Sequence, residues 1–230
     1  MKFISFFAGI GGIDLGLERA GHECVGQCEI DPYALKVLEK HWPDVPRFGD
    51  ITKVKADELP EADLWAGGFP CQDISNAGKQ AGIRGSRSGL FFTWMRLVRK
   101  IRPRFLLMEN VGALLTHGMG DVLGELAESW YDAEWNCIPA KTVGAPHLRD
   151  RVFIVANSNR ERWSQMGEPI HIFTEPVKES GYWRGDVVPS RVQRISDGLP
   201  DRVDRLRCCG NAVMPQVAEY IGRLLMEIEQ

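Results

Sequence analysis

Short apolar runs alternate with segments of helical apolar spacing along the first two-thirds of the chain. The strand-like runs are Lys2–Phe7, Cys24–Glu29, Leu64–Ala66, Phe105–Met108 and Val152–Ala156. The helix-like segments are Ile13–Ala20, a helix that begins after Asp31, Gly89–Lys100 and Met119–Trp130. Aspartate followed by proline, as at Asp31, is a typical helix start. The alternation predicts an α/β fold, with a mostly parallel sheet and helices on both faces.

The alternation stops after Ala156. Residues 157–200 are polar and rich in Gly, Pro, Arg and Glu, which predicts a small irregular region. Regular structure is expected to return at Pro215, where apolar residues at helical spacing predict a closing helix that packs against the first part of the chain. We therefore predict a main domain over residues 1–157, a short irregular region over 158–200 and a C-terminal segment over 201–230.

Composition sets bounds on the class of protein. The chain has 230 residues, of which 44% are hydrophobic, and a formal net charge of −3. No apolar stretch approaches the ~18 residues that indicate a membrane span, and the N-terminal run is expected to be a buried strand rather than a signal peptide. These features favour a cytoplasmic protein. The cysteines form no CxxC pair, so no metal site is expected.

Cys71 is the most prominent candidate for chemistry. It follows the apolar run Leu64–Ala66, two glycines and the Phe69-Pro70 dipeptide, at a place where α/β proteins display reactive side chains. A thiolate is a nucleophile, and nearby positive charge helps it to form. Eight basic residues and no acidic ones lie between Lys79 and Met108. Such a block is either a solvated helix face or a phosphate contact, and its position beside Cys71 favours the phosphate contact.

A second arginine-rich block runs from Arg184 to Arg207 and is diluted by four aspartates. Between the two basic blocks lies Glu109, which ends a buried run, so its pKa is expected to rise. A carboxyl group that holds a proton near neutral pH suits a general acid. Arg149 and Arg151 flank one residue directly before a predicted strand, and we expect one of them to face the site and the other the frame or a phosphate.

A glycine-rich turn follows the first strand and indicates a ligand site. It reads Phe7-Ala8-Gly9-Ile10-Gly11-Gly12, and glycines allow a ligand to approach the backbone closely. Glu29, at the end of the second strand, is suited to bind ribose hydroxyls. Asp14 replaces the third glycine of the dinucleotide fingerprint, so a nucleoside without a pyrophosphate is the better ligand. Asp50 is either a third polar contact or a turn residue.

Together these motifs resemble the cytosine-5 DNA methyltransferase family. The glycine turn, Gly68-Phe69-Pro70-Cys71-Gln72, Glu109-Asn110-Val111, Arg149-Asp150-Arg151 and Gly210-Asn211-Ala212-Val213 occur in the order typical of that family. The resemblance covers residues 1–157 and roughly 195–230. It implies a Rossmann-like S-adenosylmethionine-dependent methyltransferase fold in a prokaryotic or phage-infected host cell. It makes residues 1–157 the catalytic and cofactor-binding domain and 158–200 the target-recognition region.

The resemblance also implies residue roles. Cys71 would add to carbon 6 of a flipped-out cytosine, Glu109 would hold or protonate ring nitrogen 3, and Arg151, with Arg149, would steady the base. The residues implied in binding S-adenosylmethionine are Phe7, Ala8, Gly9, Ile10, Gly11, Gly12, Glu29, Ile30, Asp50, Ile51, Asn211 and Val213. The residues implied in contacting double-stranded DNA are Lys79, Arg84, Arg87, Arg184, Arg191 and Arg194.

The chain departs from the family pattern in its recognition region. Roughly 40 residues remain there to read base pairs in a major groove, which implies a short recognition sequence, loose specificity, or help from a second chain or a homodimer. The alternatives are a tRNA cytosine-5 methyltransferase and a catalytically silent nucleic-acid-binding module. A thiol hydrolase would need a histidine near Cys71, and His147 is the candidate. A role beside a restriction enzyme, in phage self-protection or in regulation remains open.

Overall fold

The computed structural model describes residues 1–70, 89–145, 147–158, 171–173 and 201–228. Its centre is a seven-stranded sheet with the order β3-β2-β1-β4-β5-β7-β6. The strands are β1 (Lys2–Phe6), β2 (Glu23–Cys28), β3 (Arg47–Phe48), β4 (Leu64–Gly68), β5 (Phe105–Val111), β6 (Tyr131–Pro139) and β7 (Asp150–Ser158). Strands β1 to β5 pair in parallel, whereas β7 pairs antiparallel with β5 and with β6.

The helices are α1 (Gly12–Arg19), α2 (Pro32–His41), α3 (Gly89–Ile101), α4 (Leu114–His117), α5 (Met119–Glu128), α6 (Arg202–Asn211) and α7 (Pro215–Ile228). Two short 3₁₀ helices span Ala56–Glu58 and Ala140–Val143. Asp31 caps α2 as predicted, because its Oδ1 accepts hydrogen bonds from the backbone N–H groups of Tyr33 and Ala34. In the part of the chain described above, no helix combines the length and apolar character needed to cross a membrane.

The two faces of the sheet carry two separate apolar clusters. Successive strand residues point to opposite faces, so Ile4 and Phe6 of β1 pack with α3 and α5, whereas Phe3 packs with α1 and α7. On the first face, the rings of Phe6 and Trp65 lie 4.7 Å apart, and Trp94 of α3 packs against Phe6. The predicted mostly parallel sheet with helices on both faces is therefore confirmed.

The closing helix α7 lies against α1 as expected. A Cβ atom at Gly16 of α1 would lie 2.3 Å from the carbonyl oxygen of Pro215, which shows how closely the two helices approach. Two expectations about regular structure were wrong. Regular structure begins before Pro215, because α6 begins at Arg202. The sequence pattern did not predict α6, because this helix has few apolar residues. Strand β6 was also missed: it is an edge strand whose residues are mostly only partly buried.

Candidate functional site

The candidate residues gather at one edge of the sheet. Strands β1, β2, β4 and β5 all end there, and the antiparallel strand β7 begins there. Ligands of open α/β sheets bind outside the carboxyl ends of the strands. A cavity of about 470 Å³ lies at this edge. The predicted site residues that line it are Phe7, Ala8, Gly9, Gly12, Glu29, Ile30, Asp50, Ile51, Glu109, Arg151, Asn211 and Val213.

Glu29 is held between the glycine turn and the start of α2. Its Oε2 accepts a 2.7 Å hydrogen bond from the backbone N–H of Gly9, and its Oε1 accepts bonds of 2.7 Å from those of Ile30 and Asp31. A carboxylate offers about four acceptor positions. Three are filled by the backbone, so one remains, on Oε2, for a hydroxyl group of a ligand. The same bonds fix the glycine turn to the end of β2.

Asp50 and Ile51 form a mixed polar and apolar part of the cavity wall. Asp50 Oδ1 accepts hydrogen bonds from the backbone N–H and the hydroxyl of Thr52, and these bonds lower the pKa of Asp50. Ile51 is buried, whereas Ile30 is 67% exposed at the cavity wall. A polar acceptor next to apolar surface suits a ligand with a heterocyclic ring and exocyclic amine.

Glu109 is a buried carboxyl group at the end of β5. Arg151 Nε lies 2.9 Å from its Oε1. Burial raises the pKa of Glu109 to about 7, and the positive charges of Arg151 and Arg149 oppose that shift without cancelling it. An ion pair alone would lower the pKa, so desolvation is the stronger effect here. Glu109 can therefore exchange a proton near neutral pH, as expected from the sequence.

Two neighbours position Glu109 and the loop that leads to Cys71. Gly68 pairs with Glu109 across β4 and β5, and a Cβ atom at Gly68 would lie 2.8 Å from Glu109 Oε2. A side chain there would displace the carboxylate. Asn110, which is buried, donates a 3.2 Å hydrogen bond from Nδ2 to the carbonyl oxygen of Phe69. The chain is thus fixed beside Glu109 up to Pro70, which lines the cavity.

Arg149 is hydrogen-bonded to a different part of the chain from Glu109. Its Nη2 donates hydrogen bonds to the carbonyl oxygens of Gly210, at 2.7 Å, and of Ala212. The residues Asn211–Val213 between α6 and α7 line the cavity, whereas Arg149 is not among the lining residues. The two arginines of the Arg149-Asp150-Arg151 motif therefore act on different parts of the site. Ile10 and Gly11 of the glycine turn are likewise not among the lining residues.

Asp14 is a polar group that the cavity does not expose. It is fully buried and accepts hydrogen bonds from Ser5 Oγ at 3.0 Å and from Gln27 Nε2 at 2.8 Å. Burial raises its pKa to about 6. Asp14 takes the position of a fingerprint glycine in the sequence, and in the fold it links β1, β2 and α1 internally.

The cavity-lining residues that the sequence did not assign to the site include Arg207 and Cys208 of α6. Arg207 Nη2 lies 2.6 Å from Asp31 Oδ2, so an ion pair joins α6 to the start of α2. Arg207 belongs to the arginine-rich block noted in the sequence, but the helix that carries it was not predicted. His147 is exposed and does not line the cavity.

Several predicted residues lie outside the described part of the chain. They are Cys71 and the candidate DNA contacts Lys79, Arg84, Arg87, Arg184, Arg191 and Arg194. Their roles stay predictions. Of the first basic block, Arg99 is described, and its guanidinium binds Glu125 and Ser129 within the protein. Arg99 is therefore engaged internally rather than offered to a polyanion.

The family follows from comparison with known proteins. Residues 1–200 match the family model described as C-5 cytosine-specific DNA methylase. The match covers well over half of the chain, so the protein belongs to the C-5 cytosine-specific DNA methylase family. The resemblance inferred from the order of the sequence motifs is thereby confirmed.

The curated relatives are longer proteins. The chain is 42% identical over 168 residues to the Type II methyltransferase M2.BsuMI of Bacillus subtilis (strain 168), a match that covers 68% of this chain and 42% of the relative. It is 37% identical over 163 residues to the Type II methyltransferase M.HhaI of Haemophilus parahaemolyticus, covering 69% of this chain and 50% of the relative. The chain thus spans half or less of the length of these relatives.

A solved structure of the S. pombe Dnmt2 methyltransferase is similar with a TM-score of 0.70. The sequences are 15% identical, and the alignment covers 100% of this chain and 99% of the other. At this identity the likeness shows the fold alone. It confirms the predicted methyltransferase fold class.

Proposed function

We propose that the chain is a DNA (cytosine-5)-methyltransferase, which transfers a methyl group from S-adenosylmethionine to carbon 5 of a cytosine turned out of double-stranded DNA. The observation that carries this proposal is that the buried Glu109–Arg151 pair lines the same cavity as Glu29, Asp50 and Ile51. A proton-holding carboxyl group and a nucleoside-type pocket are then combined in one site. Membership of the C-5 cytosine-specific DNA methylase family supports the same reaction.

The cavity suits S-adenosylmethionine in size and chemistry. Its volume of about 470 Å³ lies in the range of small-molecule sites. Glu29 has one acceptor position left for a ribose hydroxyl, Asp50 can accept from an exocyclic amine, and Phe7, Ile30 and Ile51 offer apolar surface. S-adenosylmethionine would supply the electrophilic methyl group. In this proposal the glycine turn and Asn211–Val213 complete its binding site.

Cys71, Glu109 and Arg151 would have separate roles in the reaction at the cytosine ring. The Cys71 thiolate would form a bond to carbon 6 while Glu109 donates its proton to ring nitrogen 3, which neutralises the charge that the addition creates. Arg151 would hold Glu109 and the base in register. After methylation, loss of the carbon-5 proton to solvent, departure of the Cys71 sulfur as thiolate and return of the nitrogen-3 proton to Glu109 would regenerate the neutral aromatic ring. A stacked base exposes no face for this attack, so the base must leave the helix.

Target recognition is assigned to residues 158–200 in this proposal, between the catalytic and cofactor-binding domain at 1–157 and the C-terminal segment at 201–230. Lys79, Arg84 and Arg87, which follow Cys71 in the first basic block, would contact the DNA backbone. Because the recognition region is short, a homodimer or a second chain would complete the specificity. The cytoplasm of a prokaryotic or phage-infected host cell is the setting in which such an enzyme meets its DNA.

The test is a methyl-transfer assay with purified protein, using labelled S-adenosylmethionine and either double-stranded DNA or tRNA as acceptor. Bisulfite sequencing of the product DNA would locate the modified cytosines. We expect transfer to DNA by the wild-type chain and none by Cys71→Ser, which should still bind the cofactor. DNA that contains 5-fluorocytosine should form a covalent adduct that survives denaturing gels, because the blocked carbon 5 cannot lose a proton.

Each contrary result has a distinct meaning. Transfer to tRNA alone would establish the RNA enzyme instead. Cofactor binding without transfer to either acceptor, with DNA binding retained, would indicate a silent binding module. Transfer by the Cys71→Ser variant at the wild-type rate would contradict the covalent mechanism. Sedimentation of the active species would report whether one chain suffices or a dimer is needed.

A further inference from the structure

Arg149 occupies an unusual backbone position at the start of the Arg149-Asp150-Arg151 motif. Its φ angle is 38°, in the left-handed region that non-glycine residues seldom adopt. Arg151, two residues later, is paired with Glu109. The guanidinium of Arg149 instead bonds to the carbonyl oxygens of Gly210 and Ala212.

These two carbonyls belong to the end of α6 and the turn that follows it. The last carbonyl groups of a helix have no partner within the helix, and they form its negative end. The Nη2 group of Arg149 satisfies two such oxygens at once, because it carries two N–H donors. Arg149 therefore acts as a clamp on the turn formed by residues 210–213.

The clamped turn is part of the cavity wall. Asn211, Ala212 and Val213 all line the cavity. The backbone of Val213 also packs tightly on Gly12 at the start of α1, where a Cβ atom would lie 2.4 Å from the Val213 carbonyl oxygen. A shift of the turn would therefore change the cavity shape directly, without any movement of Glu109 or Arg151.

We propose that Arg149 is a positioning residue for the cofactor: it holds the 210–213 turn in the shape that binds S-adenosylmethionine and does not contact the target base. This inference rests on the proposed function, since it takes the cavity to be the cofactor site. The motif then serves both halves of the site, with Arg151 acting on the base side through Glu109 and Arg149 acting on the cofactor side.

The experiment measures the dissociation constant of S-adenosylmethionine by calorimetry, in the absence of DNA. Arg149→Gly removes the side chain and suits the positive φ angle, so the backbone keeps its conformation. We expect it to raise the dissociation constant at least about tenfold, because hydrogen bonds from a charged donor are among the stronger ones. Arg149→Lys keeps the charge but replaces the planar guanidinium with a compact ammonium group on a different stem, and we expect an increase of about threefold.

Arg151→Lys is the matched control. It alters the other arginine of the motif, and we expect the cofactor dissociation constant to stay within about twofold of wild type while methyl transfer falls. In steady-state assays, the Arg149 variants should show a raised KM for S-adenosylmethionine, and saturating cofactor should restore most of kcat. Thermal unfolding without ligand checks that the variants are folded. If Arg149→Gly does not fold, Arg149→Lys carries the test.

The outcomes separate this inference from the proposed function. Unchanged cofactor affinity in the folded Arg149 variants, together with lost methyl transfer or weaker DNA binding, would overturn the inference and assign Arg149 to the base or the DNA. A wild-type chain that binds no S-adenosylmethionine would instead overturn the proposed function itself. Weaker cofactor binding by Arg149→Gly but not by Arg151→Lys is the result that the structure predicts.

Discussion

Arg151 and Glu109 are bonded across two strands that run in opposite directions, with Nε 2.9 Å from Oε1 at the carboxyl end of β5. The pair is almost shielded from solvent, because Glu109 is 7% exposed. Burial raises the pKa of Glu109 to about 7 although the partner is an arginine. A carboxyl group whose pKa lies near neutral pH can both donate and accept a proton there, which suits the general acid of the proposed reaction.

The first prediction concerns the pH dependence of methyl transfer. If Glu109 delivers a proton to the base, the single-turnover rate of the wild type should fall as pH rises through about 7, because the protonated form is lost. Glu109→Gln cannot transfer a proton, so its rate should be about 10²–10⁴-fold lower and should not show that inflection. Rapid-quench assays between pH 6 and 9 would measure both. An unchanged inflection in Glu109→Gln would assign the titration to another group.

The second prediction concerns stability, and it follows from the same carboxyl group. The folded-state pKa of Glu109, about 7, lies above the ordinary value of 4.5, so the folded protein holds a proton that the unfolded chain releases. The contribution of Glu109 to stability is fully present below pH 4.5 and is lost as pH rises to about 7. Urea unfolding across this range should show a shallower decline for Glu109→Gln than for wild type. An identical decline would contradict the raised pKa.

A buried carboxyl group elsewhere provides the control for that measurement. Burial also raises the pKa of Asp14, to about 6, far from Arg151 in sequence and with Ser5 and Gln27 as hydrogen-bond partners. Its contribution is lost between the ordinary value of 3.8 and about 6. Asp14→Asn should therefore flatten the lower part of the stability curve, whereas Glu109→Gln should flatten the part up to about 7.

The third prediction tests the close contact between the glycine turn and the 210–213 turn. A Cβ atom at Gly12 would lie 2.4 Å from the Val213 carbonyl oxygen, so Gly12→Ala must force the two segments apart. We expect a loss of about 1–3 kcal/mol in the free energy of unfolding and weaker cofactor binding. Gly124→Ala is the matched control, because Gly124 lies in α5 with nothing within 4 Å of its added Cβ. It should gain about 0.5–1 kcal/mol. Equal changes in the free energy of unfolding for the two substitutions would contradict a close contact between Gly12 and Val213.

Sequence patterns predicted most of the fold because its buried strands are strongly apolar. Leu64–Ala66 and Phe105–Met108 were recognised for that reason, and the Asp31-Pro32 helix start was confirmed. The burial of Glu109 was predicted for the same reason. Strand β6 was not predicted, because a partly exposed edge strand lacks a continuous apolar run.

The parts of the site that sequence could not supply depend on contacts between distant segments. Arg207 belongs to an arginine-rich helix without a buried stripe, so its pairing with Asp31 has no local signature. The hydrogen-bond partners of Arg149 lie 61 and 63 residues away in sequence, and its residue type does not indicate the positive φ angle. Long-range hydrogen bonds of this kind become visible only when the end of α6 is placed beside Arg149.

The fourth prediction separates two roles of Asp31. Its Oδ1 caps α2, while its Oδ2 pairs with Arg207 at 2.6 Å. Asparagine is a good capping residue but carries no charge, so Asp31→Asn should lose only the ion pair, worth at most about 1 kcal/mol at this exposure. Asp31→Ala also loses the cap and should cost about 1 kcal/mol more. Denaturant unfolding of both variants, combined with Arg207→Gln in a double-mutant cycle, would measure each part. Equal losses for Asp31→Asn and Asp31→Ala would show that the cap contributes nothing.

The fifth prediction concerns the basic residues proposed to contact the DNA backbone. If Lys79, Arg84, Arg87, Arg184, Arg191 and Arg194 all contact phosphates, the logarithm of the binding constant should fall with the logarithm of salt concentration with a slope of about −5. Each variant such as Arg84→Gln should make that slope shallower by about 0.9. Fluorescence anisotropy with a short duplex would measure this slope at salt concentrations between about 50 and 300 mM.

Arg104 offers a control with the same loss of charge. It precedes the amino end of β5, at the sheet edge opposite the cavity, and its guanidinium lies 4.9 Å from the ring of Phe105. Arg104→Gln lowers the net charge by the same amount as Arg84→Gln, but Arg104 is not among the proposed DNA contacts, so the salt slope should not change. A similar change of slope in both variants would mean that the overall charge of the protein, rather than contacts beside Cys71, determines DNA affinity.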